Sequence, residues 1–134
     1  GRDDEALALI APLLTEAAGP LRADLYYWQG RALLDKTAEV SPGQSGRAPA
    51  DEATRLHRRA GLAFMRVVIH FPRDRRMAEC LCRAAEICER MQELEPAGNL
   101  WAEAARTAPP TSPWAQHAHQ GLERLRSANT SPAP

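Results

Sequence analysis

The stretch AGLAFMRVVIHFP, residues 60–72, decides what this chain can fold into. Its core, MRVVIHF, is rich in β-branched and aromatic residues and by propensity alone favours a strand. The spacing argues otherwise. Ala60, Phe64, Val67 and Val68 fall at i, i+4, i+7 and i+8, which is one stripe of a helix. Ala-, Arg- and Glu-rich text surrounds the stretch, and no alternating polar/apolar segment bounded by turns competes with it. Pattern outranks a weak propensity, so residues 65–71 are read as the last turns of a helix and the chain as all-α.

The same reading gives about six helices. The first runs from about Asp3 to Ala18, with Asp3, Asp4 and Glu5 at its positive end. Pro12 is awkward inside it, and Gly19-Pro20 ends it. The second runs from Leu21 to about Lys36. Residues 37–50, TAEVSPGQSGRAPA, hold Pro, Gly and Ser and read as a flexible inserted loop. Asp51 is the expected cap of a third helix, which ends near His70 before Pro72. A fourth spans about Asp74 to Leu94, and a fifth runs from about Glu95 to just before Pro109-Pro110. Ser112-Pro113 is an N-cap followed by Pro at the first helical position, opening a sixth helix to about Ser127. Residues 128–134 read as a disordered tail, and residues 1–127 as a single domain.

These helices carry a repeat. Leu81, Ala84, Ala85, Cys88, Ala97, Trp101, Ala104 and Pro109 alternate large and small residues at fixed distances. Ala60, Phe64 and Pro72 reproduce the second half of that series. Tyr26, Gln29, Gly30 and Leu33 reproduce the first half, with the inserted loop between. Trp114, His117, Ala118 and Gly121 start it once more, and Ala6 and Ile10 fit the second helix of a preceding repeat. Small residues at Gly30, Ala60, Ala85, Ala97 and Ala118 let helices approach closely, and Phe64 and Trp101 fill the gaps they leave. This series resembles the tetratricopeptide repeat, over residues 3–127. Gln29 and Cys88 depart from the usual apolar and aromatic residues. YYWQGRAL, RVVIHFP and SPWA also resemble phrases of bacterial cell-envelope members of that family.

The resemblance implies antiparallel helix pairs stacked in a right-handed superhelix, and a binding groove lined by the first helix of each pair. Its positions are Asp24, Tyr27, Arg31 and Asp35 on the second helix, Arg83, Glu86 and Arg90 on the fourth, and Gln116, His119 and Glu123 on the sixth. Tyr27 is expected to be an exposed aromatic in that groove. The implied function is a non-catalytic protein-interaction or scaffold module, part of a larger bacterial protein or complex, which binds another protein or a peptide segment. Self-association is a further reading. The half-repeat at the start leads to the expectation of more repeats before Gly1.

Chemistry-bearing motifs are sparse. His57, His70, His117 and His119 form no HxxxH or HExxH pattern, and no phosphate loop or GxSxG is present. Cys80, Cys82 and Cys88 lack ligand spacing and read as buried or half-buried free thiols. No catalytic residue, metal site or cofactor is assigned, and no enzyme activity is expected. Net charge is zero, which gives no global pull toward nucleic acid or membrane. No apolar run is long enough to insert into a bilayer. Between cytoplasm and cell envelope the sequence does not choose. Sixteen of the seventeen basic residues are Arg, a bias that a GC-rich genome explains. Arg55, Arg58, Arg59, Arg66, Arg73, Arg75 and Arg76 nevertheless stand against one acid, Asp74. The block reads either as a solvated surface or as a basic face for an acidic partner or a phosphate backbone. The lack of regularly spaced aromatics to stack bases ranks nucleic acid below protein.

Overall fold

A computed structural model describes residues 1–39 and 49–130. Among the described residues there are six α-helices and no strand: α1 (Arg2–Glu16), α2 (Pro20–Glu39), α3 (Pro49–His70), α4 (Met77–Arg90), α5 (Leu94–Thr107) and α6 (Pro113–Thr130). The β-rich stretch is helical, with Ala60, Phe64 and Val67 fully buried. Burial of one apolar stripe has overridden the strand propensity of MRVVIHF.

The chain divides into two compact units, Gly1–Asp74 and Arg75–Pro134. In the first, α2 packs against both α1 and α3. Helix α1 runs through Pro12. Ala17 is extended, and Gly19 turns the chain at φ 63°, a left-handed conformation that costs glycine little. Pro20 then takes the first position of α2, where its missing N–H is no loss. Lys36 reaches across to Asp4, tying α2 to α1. Phe64 crosses to α2 at Gly30. A Cβ built on Gly30 would lie 2.8 Å from the ring, inside any tolerable contact. Burying such a side chain stabilises the fold by roughly 1.5–3 kcal/mol.

In the second unit α5 packs against α4 and α6, and α4 also meets α6. Trp101, fully buried, plays the part of Phe64. Its indole lies against Gly121 on α6, where an added Cβ would be 2.4 Å away. Ala78, Ala108 and Ala115 form a smaller apolar cluster with Trp114 against it. Ala108 leaves α5 in an extended conformation. The Ser112 hydroxyl accepts the Trp114 N–H at 3.1 Å, capping α6 just before Pro113.

Three expected boundaries are corrected. The expected loop 37–50 is helical at both ends: α2 continues through Thr37, whose hydroxyl donates to the Leu34 carbonyl, to Glu39, and α3 opens at Pro49. Pro49 suits the first helical position, so Asp51 lies inside the first turn and does not cap it. Residues 40–48 lie outside the described residues. Helix α6 extends through 128–130, which the tail had claimed, and 131–134 also lie outside the described residues. Helix α4 is shorter than expected at both ends. Asp74 N–H bonds to the Phe71 carbonyl at 3.0 Å in a turn after Pro72. At the other end Gln92 adopts φ 61°, with Glu93 N–H on the Cys88 carbonyl at 2.9 Å and Gln92 N–H on that of Glu89 at 3.0 Å. That pair of bonds is a Schellman closure, made here without glycine.

Candidate functional site

On α2 the groove positions do not all face outward. Tyr27 is buried at 6% exposure, which corrects the expectation of an exposed aromatic. Its ring meets Phe64 edge-on at 6.3 Å and Trp28 at 5.1 Å. Arg31 Nη1 donates to its hydroxyl at 2.9 Å, with the guanidinium 5.9 Å from the ring centroid. The neighbouring ring is the presented one: Trp28 is 54% exposed. Trp28 shares a helical stripe with Asp24, Arg31 and Asp35, at spacings of four, three and four residues. Asp24 and Arg31 are half-buried and Asp35 is exposed.

In the second unit a polar ladder joins α4 to α6. Arg83 Nε donates to Glu79 Oε2 at 2.7 Å, and its guanidinium lies 5.4 Å from the Trp114 ring centroid. Glu86 meets His117 Nε2. The His117 ring stands edge-on to Trp101 at 5.3 Å and to Trp114 at 5.7 Å. Glu89 accepts the Trp101 indole N–H at 2.6 Å and faces Arg124 at 3.3 Å, while Arg124 also lies over the Trp101 ring. The ladder thus takes in two expected groove residues, Arg83 and Glu86. Arg90, Gln116, His119 and Glu123 are exposed. On α6 the stripe Trp114, His117, Gly121 and Arg124 turns toward the other helices, and Gln116, His119 and Glu123 lie off it. Among the partners, Trp114 and His117 entered the sequence reading only as repeat positions, and Glu79, Glu89 and Arg124 were assigned to no site. Their only signal was spacing of three or four residues on two separate helices.

The Arg block is divided. Arg75 and Arg76 belong to the second unit. In the first, Arg55 pairs with Glu52 one turn earlier, Arg58, Arg59 and Arg73 are exposed, and Arg66 lies over the Tyr26 ring. Exposed local pairs of this kind contribute about 0–1 kcal/mol each.

Cys80 and Cys82 are buried, Cys88 is half-buried, and all three are free. Burial, reinforced by Glu86, pushes the Cys82 thiol up to about 12 despite nearby Arg83. It is therefore a thiol and not a nucleophilic thiolate at neutral pH. No group of three or more His, Cys, Asp or Glu side chains among the described residues could hold a metal ion. None of the described helices is long and apolar enough to cross a membrane. Among the described residues, two of the open pockets lie each within one unit. One, of about 450 Å³, lies in the first unit between the start of α2 and the turn after α3. The other, of about 410 Å³, lies in the second unit between Leu94 and Gly98 of α5 and Leu122 and Leu125 of α6.

Comparison of the chain with family models, with curated proteins and with solved structures returns no match.

Proposed function

We propose that this chain is a non-catalytic protein-interaction module built from tetratricopeptide-like helix pairs, serving as a scaffold within a larger bacterial assembly. The observation that carries the reading is an aromatic–glycine interlock in each half, made in one with the preceding helix (Gly30 on α2) and in the other with the following helix (Gly121 on α6). Phe64 and Trp101 occupy the same register position in the two halves of the sequence. Each is a fully buried ring lying against a glycine that has no room for a Cβ. In such arrays a helix pair cannot bury its stripe alone and depends on its neighbour. The face left for a partner is then that of the first helix of each pair. In the first unit it is the α2 stripe with Trp28 and Asp35. In the second it is the exposed positions Arg90, Gln116, His119 and Glu123. An exposed indole beside charged residues suits the anchor of a protein interface, and the paired charges of the ladder suit holding helices better than turning over a substrate.

The test is affinity capture from lysate of a high-GC bacterium with two baits. One is the wild type. The other carries Asp35→Ala, Arg90→Ala, His119→Ala and Glu123→Ala, all at exposed positions that leave the packing intact. The expected result is a protein retained in fixed ratio by the first bait and lost by the second. Equal retention by both would remove the helix faces from the proposal. Turnover of a substrate, lost on changing one polar residue, would replace the scaffold reading with an enzyme.

A further inference from the structure

The α2–α3 junction of the first unit holds a cluster outside the proposed partner face. Tyr26 is 6% exposed. Arg22, one turn earlier on α2, donates Nε and Nη2 to its hydroxyl at 3.2 and 3.0 Å, with the guanidinium 5.5 Å from the ring centroid. Arg66, from α3, places its guanidinium 5.4 Å from the same centroid. Two cations from two helices are thus gathered on one buried ring. Among the described residues no carboxylate lies within ion-pair distance of either guanidinium, although the sequence carries as many acids as bases. The Tyr26 hydroxyl accepts both Arg22 bonds, and its own O–H has no acceptor among the described residues. In the second unit, by contrast, the arginines on aromatic rings are neutralised: Arg83 by Glu79 and Arg124 by Glu89.

We infer that Arg22, Tyr26 and Arg66 form an oxyanion site whose ligand is a phosphate dianion. Two guanidiniums match a dianion in charge, and their planar N–H groups favour phosphate oxygens. The aromatic ring holds both side chains before the ligand arrives, which lowers the entropy lost on binding. The unused hydroxyl hydrogen supplies a third donor. Free inorganic phosphate and a phosphorylated side chain of a partner share this chemistry. The inference rests on the first unit alone and stands or falls separately from the scaffold reading.

The experiment titrates the protein with inorganic phosphate by isothermal calorimetry, against sodium chloride of equal ionic strength. Saturable binding is expected for phosphate and none for chloride. Arg22→Gln and Arg66→Gln should each weaken phosphate binding at least tenfold with helix content unchanged by circular dichroism. Tyr26→Phe, which keeps the ring and loses the hydroxyl, should fall between them and the wild type. Arg22 is exposed, so its variant folds and keeps the test decisive. A second arm compares a phosphoserine peptide with inorganic phosphate: tighter binding of the peptide assigns the ligand to a phosphorylated chain, and equal binding to free phosphate. Indistinguishable titrations with phosphate and chloride would overturn the site. So would wild-type affinity in both Arg variants, or equal binding of a peptide with glutamate in place of phosphoserine.

Discussion

Gln92 holds φ 61° in the turn that closes α4, a left-handed conformation that costs a residue with a Cβ roughly 1–2 kcal/mol relative to glycine. The two backbone bonds of the closure repay part of that cost by satisfying the last carbonyls of the helix. Gln92→Gly should therefore raise stability by about 1 kcal/mol, read as a shift of the urea midpoint with the slope unchanged. The same residue shows why helix ends are harder to read than helix middles. The stripe Ala60, Phe64, Val67 announces itself by periodicity, whereas a glutamine in a glycine's place carries no signal, and α4 was expected to run on to Leu94. Tyr27 and Trp28 make the point again. Neighbouring residues on a helix stand about 100° apart, and the repeat register gave no means of deciding which ring packs on Phe64 and which faces solvent.

At the scale of elements, the α4–α6 junction is organised around a buried indole. Trp101 is fully buried, and its one polar group is satisfied by Glu89, which Arg124 holds from the other side. Removing the carboxylate leaves a buried donor without an acceptor, which costs about 1–3 kcal/mol. Glu89→Ala should therefore destabilise the wild type by that amount and cost less than about 1 kcal/mol in a Trp101→Phe background, where there is no N–H to satisfy. Equilibrium unfolding of the four members of this double-mutant cycle measures the difference. The identity of each helix in this junction was legible from capping residues and periodicity, Ser112-Pro113 above all. Which polar residues meet across it was not, because Glu89 and Arg124 are thirty-five positions apart. The Arg22–Tyr26–Arg66 cluster was hidden for the same reason: its two cations come from different helices, far apart in the sequence.

At the scale of the whole molecule, both compact units use the same device, an aromatic ring in the space that a glycine leaves. The repeat register foresaw the rings and Gly30. It placed Gly121 in the series without revealing that Trp101 lies against it, because Trp101 was expected to fill space beside alanines. The most direct measurement of the central claim compares three glycine-to-alanine variants by urea unfolding. Alanine favours a helix interior over glycine by about 1 kcal/mol, so an unencumbered position should gain stability. Gly98 is such a position, with its nearest neighbour an ordinary 3.7 Å from the added Cβ. Gly98→Ala should match or exceed the wild type. Gly30→Ala and Gly121→Ala drive a methyl group into Phe64 and Trp101 and should each lose about 1–3 kcal/mol, the cost of overpacking. If either of these two variants were as stable as the wild type, the interlock on which the repeat reading rests would be contradicted.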